Sequence, residues 1–494
     1  MTARRPEIHR KTMPSLLRLP LLAVLLTLAA SPSVPAASTI PETIRVGLGS
    51  CVGHPTSITL KANEPMIATD MDTKAVVAEI ETGKEITLRL SGKLLELETP
   101  VTAPLSYAPD QTETSDASDG PQPACEEPAE VPSAPPTFKG PIRIASRTAE
   151  GIIEIVSPKL RYRHYRESLE VLGGSRITVV NELSVEHYVC GAAPTEIPAS
   201  FHPEAQKALV VAARTYAVRS LDRHKAEGFN ICDTIHCQGF AGVDREAEWV
   251  RRIVEATRGE IITYRGEPIF ACYSADCGGM TQNSEDSGMI KAPYLRSVSD
   301  SISGEPSLVV NTRPATQTLE PSDQSDLPDA SDIEQPGACP APPMTEFEKP
   351  ADGDYCRACP AHTWTRTYSA ADLERVFNRS SSTKVGKLIS MEFAEYDCSG
   401  RVTTIIIKGE DGEKRITGSR FRDLFGLSTI MSTRMALTVT SEGNYVIEGR
   451  GYGHGVGLCQ WGANGLAKSD PKWTYIEILR HYYTDIEIKV LGEQ

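Results

Sequence analysis

Two long polar stretches place the strongest constraint on how this chain can fold. Residues 106–138 are rich in proline, serine and acidic side chains, and residues 305–354 are rich in proline and aspartate. Neither stretch holds enough large apolar side chains to offset the entropy lost on ordering. We therefore predict a linker at 106–138 and a disordered insertion at 305–354. Folded parts are predicted at 38–105, a β-rich segment, and at 139–304 and 355–494.

The N-terminus has the pattern of a secretory signal peptide. Several cations precede an apolar run at 19–30, and Val34-Pro35-Ala36 fits a small-residue cleavage site. The run is short for a membrane span, which argues against an uncleaved anchor. We expect residues 1–37 to be removed on export to the periplasm, the cell wall or the extracellular space. The cations are Arg4, Arg5, Arg10, Lys11 and Arg18.

Charge and cysteine content limit the partners and the covalent bonding. The formal net charge is −14, and no long basic stripe follows the first residues. This argues against a nucleic-acid partner. The chain has 12 cysteines, a number that favours disulfides in an exported protein. Their pairing cannot be derived from the spacing.

Hydrophobic periodicity predicts an α+β fold with mixed strands and a few helices. Apolar and polar residues alternate through 44–99 and again through 142–181, where Gly173-Gly174 suits a hairpin turn. From His202 to Lys225 the apolar spacing becomes helical, and Pro203 suits a first turn. Further helices are predicted at 246–257, 372–377, 419–425 and 475–483, and further strands at 261–265, 268–275, 387–396 and 402–409.

Glu196 is the first candidate for chemistry. It stands between Pro194 and Pro198, which we expect to stiffen a loop ahead of the long helix. Lys207 and Arg214 are seven residues apart, so they share one face of that helix and can bind a hydroxylated or anionic substrate. Taken alone, a glutamate before a helix is more often a cap or a dipole partner, and two such cations are more often a solvated face.

A second patch combines histidine and cysteine. Cys232, His236 and Cys237 lie in the segment CDTIHCQGF, and His224 precedes it. A histidine with two cysteines at short spacing can bind zinc, but in an exported chain the same cysteines can form a disulfide. The spacing does not decide between them. His236 can be a ligand, a catalytic partner or neither.

A third patch is the glycine-rich segment GYGHGVGLCQWGA at 451–463. Its five glycines allow close backbone approach, and His454 and Gln460 add polar groups. Neither the spacing nor the context fits a phosphate-binding Walker loop or a dinucleotide fingerprint.

The three patches, in this order, resemble the SpoIID/LytB family of bacterial cell-wall proteins. The first patch contains PTEIP followed by AQKALVVAARTYA, the second contains HCQGF followed later by DCGGMT, and the third contains GHGVGLCQWGA followed by ILRHYY. The resemblance covers roughly 140–300 and 360–490. Ile197 stands where methionine is common in the family, and Cys190 and Cys459 stand where other residues are expected.

The resemblance implies roles for particular residues. Glu196 corresponds to the catalytic glutamate, Lys207 and Arg214 to the lysine and arginine of the helix, and His236 to a pocket histidine. Some members bind zinc through one histidine and two cysteines, which correspond best to His224, Cys232 and Cys237. Further candidates for substrate-binding or supporting roles in the same motifs are Tyr216, Gln238, Ser274, His454 and Gln460.

The activity implied by the resemblance is lytic transglycosylation of peptidoglycan. Such an enzyme cleaves glycan strands stripped of their stem peptides between N-acetylmuramic acid and N-acetylglucosamine, and leaves 1,6-anhydro ends. One carboxyl can suffice, because the 6-hydroxyl of the sugar attacks in place of water. That carboxyl must start protonated, so burial should raise its pKa. No cofactor is required, although a structural zinc is compatible.

Two other classes of function remain open from the sequence. One is a non-catalytic glycan-binding module that stimulates a partner amidase of the cell wall. The other is a zinc hydrolase, which ranks last because two cysteine ligands suit a structural site better than an open catalytic one.

Overall fold

The computed structural model describes residues 42–53, 55–98, 135–301 and 353–492. The predicted signal peptide at 1–37 lies outside these ranges, as do most of the predicted linker and most of the predicted insertion. The described residues combine helices with mixed sheets, which confirms the α+β class. Within them, no helix has both the length and the apolar character needed to cross a bilayer.

The five predicted helices are present and mostly begin and end close to the predicted positions, while the helices at 49–52, 185–196 and 460–469 were not predicted. Pro203 is the first residue of the long helix, which ends at Arg219 and not at Lys225. Ser369 and Asp372 form a capping box, which is the local signal expected there. In chain order the helices are Gly49–Val52 (α1), Val185–Glu196 (α2), Pro203–Arg219 (α3), Glu248–Ala256 (α4), Ala370–Phe377 (α5), Gly418–Phe425 (α6), Gln460–Ser469 (α7) and Tyr475–Tyr482 (α8).

The strands follow the predicted alternation through most of the chain. The first sixteen are Thr43–Gly47 (β1), Ser57–Ala62 (β2), Met66–Asp70 (β3), Val76–Ile80 (β4), Glu85–Ser91 (β5), Leu94–Glu98 (β6), Thr137–Phe138 (β7), Ile142–Ser146 (β8), Ile152–Ser157 (β9), His164–Arg166 (β10), Ser168–Leu172 (β11), Thr178–Ser184 (β12), Ile231–Cys232 (β13), Glu260–Tyr264 (β14), Glu267–Pro268 (β15) and Tyr273–Ser274 (β16). After residue 353 they are Thr363–Tyr368 (β17), Leu388–Tyr396 (β18), Val402–Gly409 (β19), Gly412–Thr417 (β20), Met435–Val439 (β21), Tyr445–Arg450 (β22), Leu458–Cys459 (β23) and Glu487–Val490 (β24).

The N-terminal strands share sheets with strands that follow residue 135. One seven-stranded sheet has the order β13-β1-β12-β11-β8-β3-β4, and a six-stranded sheet has the order β10-β9-β2-β5-β6-β7. β11 and β12 form the hairpin predicted at Gly173-Gly174. Because β1 pairs with β12 in the register Ile44↔Leu183, and β3 and β4 belong to the same sheet, these N-terminal strands share one fold with the helices.

Helix α3 lies at the centre of the helical part. It packs against α2, α4, α7 and α8 and against strand β14. Strand β14 also pairs with the last strand, β24. The continuous strand predicted at 268–275 is wrong: the segment forms only the two-residue strands β15 and β16. The chain bends between them, since the Cys272 N–H donates to the Phe270 carbonyl, 2.8 Å away.

Residues 363–450 build a second hydrophobic core. Strands β17, β22 and β21 form one three-stranded sheet, and β18, β19 and β20 form another. Helices α5 and α6 lie against these sheets, and Phe377, Ile405 and Phe421 are fully buried among them.

Candidate active site

Glu196 is the last residue of helix α2, so the loop predicted for it is wrong. Ser184 caps the start of this helix by accepting the His187 N–H, and the helix continues through Pro194. Because Pro194 has no N–H, the last turn of the helix lacks the hydrogen bond that residue 194 would otherwise make. At this end the helix dipole is negative, so the helix disfavours an ionised carboxylate.

The Glu196 carboxyl is largely shielded from water. Its Oε1 accepts the Gly239 N–H at 3.1 Å. A Cβ at position 239 would lie 2.6 Å from Thr195 Oγ1 and 3.3 Å from Glu196 Oε1, so only glycine allows this approach. Burial raises the pKa of Glu196, and the Gly239 hydrogen bond opposes this in part. Among the described residues Glu196 has no ion-pair partner.

Gln238, the residue before Gly239, joins two tyrosines. It accepts the Tyr188 hydroxyl at 2.8 Å and donates to the Tyr273 hydroxyl at 3.0 Å. Burial raises the pKa of Tyr188. Burial and the charge of Glu196 raise the pKa of Tyr273. Both phenols therefore stay protonated beside Glu196 and remain hydrogen-bond donors.

Lys207 and Arg214 do not face Glu196. Lys207 pairs with Glu204 at 2.7 Å and lies over the ring of Tyr475. Arg214 is fully buried and holds both carboxylate oxygens of Glu186, at 3.0 and 2.7 Å. Arg214 is too deeply buried to contact a substrate or to form part of a solvated face, so of the two roles predicted for it only the supporting one fits the structure. It supports helix α2 through Glu186, and the Lys207 side chain is partly exposed beside Glu204.

Tyr216 and His236 both contact the side chain of Arg223. Arg223 donates to the Tyr216 hydroxyl at 2.8 Å and lies 3.3 Å from His236 Nε2. Burial raises the pKa of Tyr216 to about 12. Tyr216 therefore lies between the tyrosine pair at Gln238 and the histidine–cysteine patch.

The histidine–cysteine patch brings four donors together. One ligand atom from each of His224, Cys232, His236 and Cys237 lies within 4.8 Å of the others. His236 Nδ1 is 3.7 Å from both sulfurs, close to the spacing of about 3.6 Å between nitrogen and sulfur around tetrahedral zinc. His224 Nε2 is buried and has no hydrogen-bond partner among the described residues, while its Nδ1 lies 2.5 Å from Glu227. The residues fit a zinc ion, and His236 joins the three ligands predicted.

The glycine-rich segment lies beside the same region through a strand pair. Strand β23 runs parallel to β16 and pairs Leu458 with Tyr273. The Gly455 N–H lies 3.3 Å from Ser274 Oγ, which accepts it. Gln460 is buried at the first position of α7. The segment thus supports the strand that carries Tyr273.

His454 belongs to a different environment. It lines a small cavity of about 80 Å³ together with Arg422 and Gln282. Burial lowers the pKa of His454 to about 4, so the ring is neutral, and its Nδ1 accepts the Val456 N–H. The hydrogen bond to Val456 fits the supporting role predicted for His454.

Sequence reasoning missed Tyr188, Tyr273 and Gly239. All three lie in the part of the chain that the resemblance covers, but only Gly239 is in one of its quoted motifs, HCQGF. Their contacts join residues up to 50 positions apart in the sequence. Local hydrophobic periodicity cannot predict such pairs.

Comparison with known proteins now assigns the family. The Stage II sporulation protein profile (SpoIID) matches residues 173–264, and a domain of unknown function (DUF8618) matches residues 288–457. An uncharacterised protein of Brachyspira hyodysenteriae (strain ATCC 49526 / WA1) is 30% identical over 311 residues, 63% of this chain and 68% of that protein. Stage II sporulation protein D of Bacillus subtilis (strain 168) is 26% identical over 330 residues, 63% of this chain and 75% of that protein.

The chain belongs to the SpoIID/LytB family. It is also similar to the amidase enhancer of Bacillus subtilis (strain 168), with 27% identity over 307 residues, 59% of this chain and only 39% of that protein. The family membership gives the chain a role related to the bacterial cell wall and its peptidoglycan.

Proposed function

We propose that this SpoIID/LytB protein is an exported peptidoglycan lytic transglycosylase that uses Glu196 as acid and then as base. The observation that carries the proposal is a partly buried carboxyl with a raised pKa and, among the described residues, no ion-pair partner. Such a group keeps its proton to higher pH than an exposed glutamate does and can deliver it.

The proposed reaction needs no water and no second carboxyl. Glu196 gives its proton to the glycosidic oxygen, and the bond from that oxygen to the anomeric carbon of N-acetylmuramic acid breaks. The 6-hydroxyl of the same sugar forms a new bond to this carbon and returns its proton to Glu196. The products are a 1,6-anhydro end and a free N-acetylglucosamine end, and the carboxyl is restored.

The neighbouring groups fit this role. The Gly239 N–H fixes one carboxyl oxygen, which leaves the other available for proton transfer. Tyr273 remains a phenol at neutral pH and accepts the Gln238 N–H, so its own hydroxyl hydrogen can be donated to a sugar oxygen. The hydroxyl of Tyr188 is donated to Gln238 and holds that amide in place. Peptide-stripped glycan strands are the proposed substrate.

The test is Glu196→Gln, which keeps the size of the side chain but cannot cycle a proton. We expect this variant to fold and to form anhydro ends about 10²–10⁴-fold more slowly than the parent. Bare glycan strands are incubated with each protein, and the products are identified by mass spectrometry. Glu248→Gln, on the exposed face of α4, is the matched control and should keep the parent rate.

Anhydro ends released by Glu196→Gln at the parent rate would remove Glu196 from the mechanism. The second candidate function is suggested by the relative named amidase enhancer. If neither the parent nor the variant cleaves bare glycan and both stimulate a cell-wall amidase, the enhancer function replaces the enzymatic one.

The proposal includes one structural zinc at His224, Cys232, His236 and Cys237. When bound, zinc would fix these four side chains in a tetrahedron. Glu227 would orient His224 by holding its Nδ1, as carboxylates commonly do for zinc-bound histidine. The patch ends directly before Gln238 and Gly239, so it would set the position of the N–H that holds Glu196.

A further inference from the structure

A second group of metal-ligand atoms lies in the core, away from the histidine–cysteine patch. Sulfur atoms of Cys277, Cys356 and Cys459 and a carboxylate oxygen of Asp276 all lie within 4.8 Å of one another. All four residues are buried. They come from three separate parts of the chain, since Cys356 follows the polar stretch at 305–354 and Cys459 ends strand β23.

We propose that Cys277, Cys356, Cys459 and Asp276 bind a second structural zinc ion. Tetrahedral zinc with zinc–sulfur bonds of about 2.3 Å places two sulfurs about 3.8 Å apart. The Cys277 and Cys356 sulfurs are 3.9 Å apart. Thiolates are the ligands that select zinc over harder divalent cations.

The number of thiols favours a metal over a disulfide. A disulfide joins two of the three sulfurs at about 2.05 Å and leaves the third thiol buried beside a carboxylate. One cation satisfies all three sulfurs and the Asp276 carboxylate together.

Hydrogen bonds around the group suit bound thiolates. The Cys459 sulfur accepts the Cys277 N–H at 3.2 Å and the Gly462 N–H at 3.3 Å. Cys459 also stands at the N-cap of α7, where the helix dipole favours a negative charge.

Two further residues support the carboxylate and the charge. His362 Nδ1 lies 3.0 Å from Asp276 Oδ2, the type of contact that orients a ligating carboxylate. The buried Arg401 donates to the Cys277 carbonyl at 2.7 Å and brings positive charge to a site whose four ligands carry more negative charge than one zinc ion neutralises.

The second zinc would join the motifs that build the active site. Cys459 pairs with Ser274 in the parallel β16–β23 pair, next to Tyr273. Cys277 follows the same strand by three residues. The ion would therefore clamp the strand that carries Tyr273 to the helix α7 and to the chain that returns at Cys356.

The experiment measures zinc per chain in the full-length protein. The double variant Cys232→Ser/Cys237→Ser removes the first patch, and we expect it to keep one zinc per chain. Adding Cys356→Ser to that double variant should remove this last zinc. Adding Cys190→Ser instead, a buried thiol outside both groups, is the matched control and should leave it in place.

The thiol state gives a second readout that does not depend on the folding of Cys356→Ser. The parent is unfolded in chelator without reductant and alkylated, and peptide mapping should find alkylated Cys277, Cys356 and Cys459. A disulfide between any two of them, or a Cys232→Ser/Cys237→Ser protein that folds without zinc, overturns the proposal. If zinc is absent from the histidine–cysteine patch but present at the second group, the result is different. The parent then holds one zinc per chain, and the double variant retains it.

Discussion

At the scale of single residues, two glutamates of one helix have opposite surroundings. Glu186, in the first turn of α2, receives both Arg214 and the Gly259 N–H. Glu196, in the last turn, receives only the Gly239 N–H from the residues that the structure describes. The Glu186 carboxylate is neutralised by its ion pair with Arg214. The Glu196 carboxyl lies in an environment that disfavours its ionised form. Such divergence within one element is the arrangement expected when one carboxyl is structural and the other chemical.

The pH dependence of cleavage follows from the surroundings of Glu196. Burial raises the pKa of Glu196, so the protonated form persists to higher pH than for an exposed glutamate. The acid step needs that form, so kcat/KM should fall as the pH rises through this pKa. A pH–rate profile with bare glycan strands checks this. A rate that climbs over the same range would mean that Glu196 acts first as a base.

The residue scale also shows where sequence reasoning stops. The prolines and the family motif led to Glu196, but its helix was not predicted, because the apolar spacing from Ser184 to Glu196 is weak. Lys207 and Arg214 were placed on one helix face by their spacing. The roles of these two cations depend on their ion-pair partners. Glu186 is 28 positions from Arg214 in the sequence, so local spacing could not predict that pair. Only Glu204, three residues before Lys207, could have been read locally.

At the scale of elements, the position of Glu196 depends on how α2 is held against α3. Arg214 in α3 pairs with Glu186 in α2 and also donates to the Glu260 carbonyl at the start of β14, 3.1 Å away. One buried guanidinium therefore ties two helices and a strand. This makes Arg214 a positioning residue for the carboxyl at the other end of α2.

Arg214→Ala should lower the free energy of unfolding by about 3–5 kcal/mol, because it leaves Glu186 partly buried without its cation. Arg252→Ala breaks an exposed pair with Glu248 in α4 and should cost about 0.5 kcal/mol or less. Denaturant unfolding of both variants compares them directly. Equal losses would show that the buried pair contributes no more than a surface pair.

Fold prediction at this scale was good where the pattern was local. The hairpin at Gly173-Gly174, the capping box at Ser369 and the first turn at Pro203 follow from residue types and spacing. The strand predicted at 268–275 failed because its apolar run is buried by tertiary contacts and not by a long ladder. A short apolar run has no period that separates these two cases.

At the scale of the whole molecule, metal binding should connect the surface patch to cleavage. If zinc binds at His224, Cys232, His236 and Cys237 as proposed, its removal would free the segment that precedes Gly239. We expect Cys237→Ser to lose one zinc per chain and to lower kcat more than it raises KM, since the Gly239 N–H positions the carboxyl and not the glycan. Elemental analysis and steady-state kinetics measure both effects. Full activity without this zinc would show that the histidine–cysteine patch does not contribute to catalysis.

The pairing of β24 with β14 has a consequence for the order of folding. Residues 487–490 are synthesised long after β14, yet they complete the sheet next to the central helix α3. Strand β23 likewise reaches back 185 positions to Tyr273, from Leu458. Such long-range contacts form late in folding, because closing each large loop lowers the entropy of the chain before the contact can stabilise it. A growing chain therefore carries Glu196 long before it carries β23 and β24, the strands that complete the surrounding structure.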